Sequence, residues 1–576
     1  MFSKGATVFV LIFISRIADG RSSPVQQETT VNGVSNVVVE TEYGPVKGVL
    51  KNDVKFFHGI PFAKPPTGQL RWRPPEPPNP WGPTVYDATY PRAACPQKCS
   101  NDSVFCPPKV AEDCLYLEVV TPADADETSN LSVVVYIHGG GFDSMSASMP
   151  IYDATRFVQL TKVIAVLIEY RLGALGFAMF NSSSENSSGN YAILDQLLAL
   201  QWVRNNIRAF GGDPRKVTLH GQSAGAQSCL IHLNSPESSK LFRYVILESD
   251  PVTLPYKTKD EAFKRGLWLA QELGCLQDNV QPDLTCLRSK DPFDVVDAQR
   301  RLRSSITEIL DKMEPFSPVV DNIHVHDQAA NALQVHIDNG GKPKPVIWGV
   351  TKDEGWLYIK DLFPSSVSHW IFTIMRSLVF SPKEFPEAAS IYDVTNATDA
   401  RKDLADMTTD GIFKCPVRCL ANTQVNGGSD QVWVYEWSHV LESSIPESYA
   451  VFSQKAAHGI QVPFVFQSFL SMNVTPDASD LMVSDAIINY YGNFIKTGDP
   501  NKGSEAGGVL PAQKDSNTST SGLPNWPKAR EINDQWTQLV FDQETVRTQS
   551  EGLDEDKKCN LWDKRGYNVK LSLAFG

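Results

Sequence analysis

The sequence contains fewer basic than acidic residues, and this shortage excludes one class of partner. Its 576 residues include 53 Lys and Arg against 66 Asp and Glu, which gives a formal net charge of −13 and a pI of about 5.3. Such a surface repels the phosphates of nucleic acids and the headgroups of anionic membranes. We therefore expect no nucleic acid partner. A weak preference for cationic substrates would fit the same excess of carboxylates, but a solvated acidic surface explains it more simply.

Long apolar runs are also missing from most of the chain. The first run, at residues 7–14, is too short to cross roughly 30 Å of hydrocarbon as a helix. It follows Lys4 and precedes the small residues Ala18 and Gly20, an arrangement typical of a secretory signal peptide. We therefore predict a signal peptide at residues 1–20, a mature domain at residues 21–576 and a secreted, extracellular protein without an integral membrane segment.

The cysteines lack the paired CxxC spacing of a zinc site. The ten cysteines lie at positions 95, 99, 106, 114, 229, 275, 286, 415, 419 and 559. In a secreted protein most of them should form disulfides, so we expect neither a metal nor another cofactor. Secretion also makes each Asn-x-Ser/Thr sequon a candidate glycosylation site. These sites are Asn101, Asn130, Asn181, Asn186, Asn396, Asn473 and Asn517.

Neither an internal repeat nor an interdomain linker divides the chain, which indicates one large domain. Apolar, β-branched runs predict buried strands, and a helical pattern of apolar residues over 192–208 separates two of them. Alternating strands and helices predict an α/β fold with a mostly parallel central sheet covered by helices. The predicted strands lie at residues 131–137, 163–168, 216–219, 244–247, 346–348 and 432–435. Residues 503–522, rich in Ser, Thr, Gly and Lys, are predicted to form a mobile surface loop.

The pentapeptide Gly221-Gln222-Ser223-Ala224-Gly225 lies between a predicted strand and a predicted helix. A strand-to-helix turn this tight leaves no room for side chains beside the serine, which explains the two glycines. Such a turn exposes a serine hydroxyl at the edge of the sheet, next to the N–H groups at a helix start. Ser223 is therefore the candidate nucleophile.

A second glycine motif, His138-Gly139-Gly140-Gly141, follows the strand predicted at residues 131–137. Consecutive glycines let the backbone approach a bound carbonyl group and direct N–H groups at the oxyanion that develops on it. Alone, the motif could equally be a flexible turn. Beside the serine turn, we predict an oxyanion hole formed by the N–H groups of Gly140, Gly141 and Ala224.

A serine nucleophile needs a base, and the base needs an orienting acid. His369, His439 and His458 follow the serine with an acidic candidate before them. Small residues surround His458 and suit a loop that presents an imidazole to a cleft. Asp353 and Glu354 follow a predicted strand, where such an acid should lie. The residues alone do not choose between these two acids.

These motifs resemble the type-B carboxylesterase/cholinesterase family of α/β hydrolases, from about residue 44 to residue 563. The resemblance implies the α/β-hydrolase fold and a catalytic triad of Ser223, Glu354 and His458. The motifs that carry it are Phe57-His-Gly-Ile-Pro-Phe-Ala63, Glu112-Asp-Cys-Leu-Tyr-Leu117, His138-Gly-Gly-Gly141, Tyr170-Arg-Leu-Gly173, Asp195-Gln196, Phe210-Gly-Gly-Asp-Pro214, the serine turn, Lys352-Asp-Glu-Gly355, Ala457-His-Gly459 and Thr497-Gly-Asp-Pro-Asn501.

The resemblance also implies disulfides. The implied pairs are Cys95–Cys114, Cys275–Cys286 and Cys415–Cys559. Cys99 and Cys106 then remain inside the first loop and can pair with each other. Cys229 is expected to be a buried free thiol, and Cys419 has no obvious partner.

Three departures from the cholinesterases bear on the substrate. Cholinesterases carry a glutamate before the nucleophile, where this chain has Gln222, and an acid three residues after the histidine, where it has Gln461. The loop between Cys95 and Cys114 contains Phe105 but no tryptophan, which removes the cation–π platform used for choline. The sequence therefore predicts a secreted carboxylic ester hydrolase that acts on small esters other than acetylcholine.

Other functions are compatible with the same family. Neuroligin-like and glutactin-like relatives are non-catalytic extracellular adhesion proteins, but they typically have lost a triad residue and gained a membrane span. A lipase acting on aggregated lipid is a further alternative. The Gly-Gln-Ser-Ala-Gly variant is also found in insect juvenile hormone esterases, which makes that activity another alternative. The sequence does not indicate the oligomeric state.

Overall fold

The fold is built around a large mixed β-sheet. A computed structural model describes residues 28–29, 35–98, 106–182, 187–278, 280–394, 398–441, 455–503, 522–530, 535–550 and 553–567. The signal peptide predicted at residues 1–20 and nearly all of the loop predicted at residues 503–522 lie outside these residues. The strands are β1 (Glu28–Thr29), β2 (Ser35–Thr41), β3 (Gly44–Lys51), β4 (Val54–Pro61), β5 (Tyr86–Asp87), β6 (Tyr116–Pro122), β7 (Leu131–Ile137), β8 (Ile164–Ile168), β9 (Gly212–Gln222), β10 (Tyr244–Glu248), β11 (Lys257–Thr258), β12 (Leu276–Gln277), β13 (Gln281–Pro282), β14 (Val319–Val320), β15 (Val346–Thr351), β16 (Val432–Trp437), β17 (Thr537–Phe541) and β18 (Val546–Ser550).

The helices cover the sheet and fill the connections between strands. They are α1 (Thr155–Thr161), α2 (Gly173–Phe177), α3 (Tyr191–Asn206), α4 (Ala224–Asn234), α5 (Lys259–Glu272), α6 (Leu284–Ser289), α7 (Pro292–Ser305), α8 (Ile309–Met313), α9 (Ala329–Asp338), α10 (Gly355–Leu362), α11 (His369–Val379), α12 (Phe385–Ile391), α13 (Arg401–Thr408), α14 (Cys415–Asn426), α15 (Val462–Phe466), α16 (Ala478–Thr497) and α17 (Leu553–Arg565).

The sheet is parallel at its centre and antiparallel at both edges. Its strand order is β1-β2-β3-β4-β6-β8-β7-β9-β10-β15-β16-β17-β18, with β5 paired to β3. All neighbours from β8 to β17 in this order are parallel. The strands β1 to β4, β6 and β18 pair with their neighbours in that order antiparallel. Because the carboxyl ends of parallel strands meet at one edge, residues that follow β7, β9 and β15 come together there.

The apolar runs form strands that are buried on both faces. In β7, Val133, Val135 and Ile137 pack into one hydrophobic cluster, while Val134 and Tyr136 pack into the cluster on the opposite face. Alternation of side chains along a strand explains this division. Helices α3 and α4 contribute to the first cluster, and α15 and α16 to the second.

The predicted fold class is confirmed. The strand predicted at residues 131–137 is β7, and the helix predicted at residues 192–208 is α3 followed by one turn of 3-10 helix at Ile207–Phe210. Strand β9 is longer than predicted and reaches Gln222. The antiparallel strands at the N-terminal edge were not predicted, because their half-buried pattern lacks a continuous apolar run.

The three disulfides implied by the resemblance are formed. Cys95 bonds to Cys114, Cys275 to Cys286 and Cys415 to Cys559. Cys106 is also disulfide-bonded, whereas Cys99 lies outside the described residues. The free cysteines of the described residues are Cys229, which is buried, and Cys419, which is half-buried.

Three of the candidate glycosylation sites lie in the described part of the chain. Asn130, Asn181 and Asn473 are all exposed there, as glycosylation requires. The other four sites, Asn101, Asn186, Asn396 and Asn517, lie outside it. No helix within the described ranges is both long and apolar enough to cross a membrane.

Candidate active site

Ser223 lies at a sharp turn between strand β9 and helix α4. Its backbone has φ 58° and ψ −127°, a conformation that costs a residue with a side chain on the order of 1–3 kcal/mol. Two backbone hydrogen bonds hold this conformation. The Ser223 N–H donates to the Glu248 carbonyl at 2.9 Å, and the Ser223 carbonyl accepts from the Gln227 N–H at 3.0 Å. The surrounding structure therefore fixes the backbone of the candidate nucleophile.

The two glycines of the pentapeptide permit close contacts that any side chain would prevent. A Cβ atom added at Gly221 would lie 2.3 Å from the carbonyl oxygen of Gly225. One added at Gly225 would lie 2.0 Å from the carbonyl oxygen of Ile137. Both distances are far below van der Waals contact, so glycine is required for β7, β9 and α4 to converge beside Ser223.

The glycine loop after β7 lies against Ser223. A Cβ atom added at Gly139 would be 3.0 Å from the Cβ atom of Ser223. Gly140 and Gly141 have φ values of 100° and 59°, and within the described ranges neither N–H donates to a protein acceptor. The Ala224 N–H belongs to the first turn of α4, where N–H groups lack intrahelical partners. The loop and the helix start thus offer unused donors beside Ser223.

His458 and Glu354 are in direct contact. The Nδ1 atom of His458 lies 2.5 Å from Oε2 of Glu354, and both side chains are buried. The other carboxylate oxygen of Glu354 accepts the Thr351 N–H at 2.6 Å. A carboxylate at Nδ1 favours the tautomer with its proton on that atom, which leaves the Nε2 lone pair free to act as a base.

Asp353, the alternative acid, supports the loop that carries His458. Its carboxylate accepts the Ala456 N–H at 3.2 Å and lies 3.7 Å from the Lys455 ammonium group. Its own N–H donates to the Ala456 carbonyl at 2.9 Å. Of the two acids, Glu354 is the one in contact with the imidazole.

The other two candidate histidines lie elsewhere. The Nε2 atom of His439 is 2.8 Å from a carboxylate oxygen of Asp480, and both side chains are buried. His369 begins helix α11, and its ring packs against Trp370 with the centroids 5.1 Å apart. The contacts of both histidines are therefore with side chains other than that of Ser223.

The side chain of Gln222 forms a contact that sequence reasoning missed. Its Nε2 atom lies 3.1 Å from Nε2 of His458. Because the tautomer that donates to Glu354 has an unprotonated Nε2, the Gln222 amide donates to this atom. No hydrogen bond joins the Ser223 hydroxyl to His458 among the described residues. Gln222 and Ser223 therefore compete for one lone pair, whereas the sequence identified Gln222 only as an uncharged neighbour.

Tyr358, one turn after Glu354, is a second residue that sequence reasoning missed. Burial is the main cause that raises the pKa of Tyr358 well above its usual value; the charges of Glu354 and Glu314 add to the rise, and a hydrogen bond with Ser223 opposes it. The ring also packs against that of His458, with the centroids 5.4 Å apart. The only available signal was its position one helical turn after Glu354.

A cavity of about 60 Å³ adjoins Tyr358. Mostly apolar side chains line it, including Met313, Leu404 and Ile412. Since one water molecule needs about 10–15 Å³ on this scale, the cavity has room for several water-sized groups next to Tyr358.

Taken together, the described residues bring Ser223, Glu354, His458, Gly140 and Gly141 to the carboxyl edge of the parallel strands. The catalytic roles of these residues stay predictions at this point. No group of three or more His, Cys, Asp or Glu side chains suited to a metal ion exists in the portion of the chain that the structure describes.

Known proteins similar to this chain include several that are named as esterases. The "cAMP-regulated D2 protein" of Dictyostelium discoideum is 33% identical over 98% of this chain and 99% of its own length. An acetylcholinesterase of Bungarus fasciatus is 34% identical over 89% of this chain and 84% of its own. A solved structure of a PNB esterase has a TM-score of 0.74 and 29% identity, and covers 91% of this chain and 99% of that one.

The family assignment rests on nearly the whole chain. The sequence model of the carboxylesterase family matches residues 35–562. This range contains the serine turn, the glycine loop and the Glu354–His458 pair. The protein therefore belongs to the carboxylesterase family.

Proposed function

We propose that the protein is a secreted serine carboxylic ester hydrolase that forms an acyl-enzyme on Ser223. The observation that carries this proposal is the buried contact of 2.5 Å between Glu354 and His458, next to a strained serine. Beside a serine, a hydrogen-bonded acid–imidazole pair can remove the hydroxyl proton and so make the serine oxygen a nucleophile.

The reaction begins when the Nε2 atom of His458 exchanges the Gln222 amide for the Ser223 hydroxyl. His458 takes the hydroxyl proton while Ser223 Oγ attacks the ester carbonyl carbon. The N–H groups of Gly140, Gly141 and Ala224 stabilise the resulting oxyanion, and Glu354 stabilises the imidazolium.

Collapse of the tetrahedral intermediate breaks the bond to the alcohol, which takes the proton from His458 as it leaves. A water molecule then gives its proton to His458 and attacks the acyl-enzyme. The acid product leaves, and the proton returns to Ser223. Neither half-reaction needs a cofactor.

The direct test is the Ser223→Ala variant. Hydrolysis of short p-nitrophenyl esters should fall by at least about 10⁴-fold, with the far-UV circular dichroism spectrum unchanged. Ser228→Ala is the matched control, since Ser228 is a buried serine within α4 whose hydroxyl donates to the Ala224 carbonyl. Turnover by a correctly folded Ser223→Ala protein would exclude Ser223 as the nucleophile.

Secretion has its own test. The signal peptide predicted at residues 1–20 should be absent from protein recovered from the culture medium of a eukaryotic host, and N-terminal sequencing should start near residue 21. Treatment with peptide N-glycosidase should lower the apparent mass if any sequon is occupied. An intact N-terminus together with retention inside the cell would contradict secretion.

A further inference from the structure

We propose that a buried group of hydrogen-bond acceptors beside Ser223, formed by Glu314, Asp250 and Gln227, binds an ammonium group on the acyl part of the ester substrate. The inference rests on the proposed hydrolase activity, since it names the class of ester that the same site accepts.

Glu314 follows a residue that lies near the glycine loop, and its side chain contacts Gln227, one turn after Ser223. The carbonyl oxygen of its neighbour Met313 is 3.9 Å from the position that a Cβ atom of Gly141 would occupy. The Glu314 carboxylate accepts a long hydrogen bond of 3.4 Å from the Gln227 amide, and its charge acts on Tyr358. Only 3% of the Glu314 residue surface is exposed, although the group is a carboxylate. A buried carboxylate therefore lies against the part of α4 that follows Ser223.

Asp250 supplies a second carboxylate with no partner. The residue is completely buried, and neither of its carboxylate oxygens has a hydrogen-bond partner among the described residues. Burial raises its pKa well above the usual value, and the nearby charge of Glu314 raises it further. A buried, unpaired carboxylate is costly, so it should either hold a proton or meet a cation.

Gln227 and Tyr256 add unsatisfied polar atoms to the same place. The Gln227 side chain donates through its nitrogen to Glu314, while its amide oxygen is buried without a partner in the described part of the chain. The Tyr256 hydroxyl is likewise buried and unpartnered there; burial raises its pKa, and the charges of Asp250 and Glu314 add to the rise. Acceptors are in excess over donors, which is the complement of an ammonium group with its N–H donors.

The positive groups nearby do not saturate these acceptors. Lys257 is buried close enough to lower the pKa of Glu314, yet its ammonium group donates to Asp311 at 2.6 Å and to the Pro255 carbonyl at 3.1 Å. Burial nevertheless raises the pKa of Glu314 to about 7. Lys257 shares the Asp311 carboxylate with Arg265, and these cations do not offset the burial of Glu314, whose raised pKa still leaves it ionised above neutral pH.

The position of the group assigns it to the acyl side of the ester. The leaving alcohol must lie within reach of His458 Nε2, because it receives its proton from that atom. That flank of Ser223 is occupied by Gln222. Met313, the neighbour of Glu314, borders Gly141, and Glu314 accepts a hydrogen bond from Gln227, one turn along α4 from the nucleophile. An ammonium group bound there belongs to the acyl chain, unlike the ammonium group of choline esters.

The test compares esters that differ only in charge. Ethyl esters of β-alanine, 4-aminobutyrate and 6-aminohexanoate are each matched to the ester in which methyl replaces the ammonium group, and hydrolysis is followed by pH-stat titration at pH 8. For the best chain length, we expect kcat/KM of the cationic ester to exceed that of its neutral partner by at least about tenfold. In Glu314→Gln the ratio should fall towards one, because an amide no longer attracts the charge.

Two further variants separate this site from a general effect of charge. Asp250→Asn should also lower the ratio, and it serves as the second variant if Glu314→Gln is unstable. Glu308→Gln removes a carboxylate that is only half-buried, six residues earlier in the chain, and should leave the ratio as it is. A wild-type protein that prefers the neutral ester at every chain length would overturn the proposal. A ratio that persists in both Glu314→Gln and Asp250→Asn would also overturn it. Hydrolysis of neither kind of ester would instead contradict the hydrolase activity itself.

Discussion

The two sides of Ser223 are built from different parts of the polypeptide. Towards Gly140 and Gly141, the chamber consists of backbone N–H groups without protein acceptors within the described ranges. Towards Glu314 and Asp250, it consists of side-chain acceptors, several of them unpartnered there. The first side suits a negative charge of the kind that develops in the proposed reaction, and the second suits the positive charge proposed for the substrate. If both proposals hold, the reaction type and the substrate preference can be altered separately by substitutions on one side or the other.

The triad acid gives the largest expected effect, because it serves every substrate. Glu354→Gln keeps the size of the side chain but can no longer stabilise the imidazolium, and kcat should fall by about 10⁴-fold. Asp353→Asn is the matched control, since Asp353 contacts Ala456 and Lys455 instead. Its activity should fall less than tenfold. Steady-state kinetics with p-nitrophenyl butyrate measures both variants, and equal losses would contradict the choice of Glu354.

The oxyanion side can be tested with two adjacent glycines. A Cβ atom at Gly140 would lie 2.2 Å from the Ser144 carbonyl oxygen, whereas at Gly141 the nearest atom is 3.9 Å away. Gly140→Ala must therefore shift the loop and should lower kcat by about 10²–10³-fold, the usual effect of losing one oxyanion donor. Gly141→Ala only forces an alanine into a left-handed backbone conformation, so its kcat should fall less than that of Gly140→Ala. The reverse order would argue that this loop does not form the oxyanion hole.

A charge introduced at Gln222, beside His458, is expected to have a smaller effect on activity. In Gln222→Glu a carboxylate would face Nε2 and favour the protonated imidazolium. In the wild type, kcat/KM should fall below about pH 6. In Gln222→Glu, this fall should begin roughly one pH unit higher. The loss of activity at neutral pH would be only a few-fold. Gln461→Glu is the comparison, because Gln461 contacts Ser249 and not His458. An unmoved acid limb in Gln222→Glu would show that Gln222 does not face the base.

The buried carboxyl groups on the side of Glu314 should also change the free energy of unfolding with pH, and this is the smallest of the expected effects. A carboxyl whose pKa is raised by folding binds more protons in the native state than in the unfolded state. Its contribution to the free energy of unfolding therefore declines as pH rises from about 4.5, its ordinary value, to about 7, its value in the folded protein. Lys257 opposes this decline, and Asp250 and Asp143, whose pKa values are also raised, add to it.

Glu314→Gln should remove part of that decline. Between pH 5 and pH 7.5, the midpoint of thermal unfolding should drop less in the variant than in the wild type, as calorimetry would show. Glu308→Gln again provides the control. Parallel pH profiles for the wild type and Glu314→Gln would mean that Glu314 is not desolvated.

The sequence predicted the backbone side of the site far better than the side-chain side. Contiguous motifs encode the turn at Ser223 and the loop at Gly140, because tight backbone geometry requires glycine at fixed spacing. Likewise, continuous apolar runs predicted the parallel strands. The distinction between Asp353 and Glu354 was beyond pattern reasoning, since both follow β15, and only the resemblance favoured Glu354.

The buried group of hydrogen-bond acceptors formed by Glu314, Asp250 and Gln227 could not be predicted in the same way. Gln227 lies on α4, Asp250 follows β10 and Glu314 follows α8, so the group exists only after these segments have packed together. Each residue alone has an ordinary reading as a surface or helix-terminal polar group. Burial without partners is a property of the fold, and no spacing in the sequence encodes it.

The most direct test of the central claim is the site of covalent labelling by a fluorophosphonate. The intact protein is treated with the probe, digested and analysed by tandem mass spectrometry. We expect one phosphonylated residue, Ser223, with labelling that is abolished in Ser223→Ala and retained in Ser228→Ala. An unlabelled protein, or a label on another residue, would contradict the proposal that Ser223 is the nucleophile of an ester hydrolase.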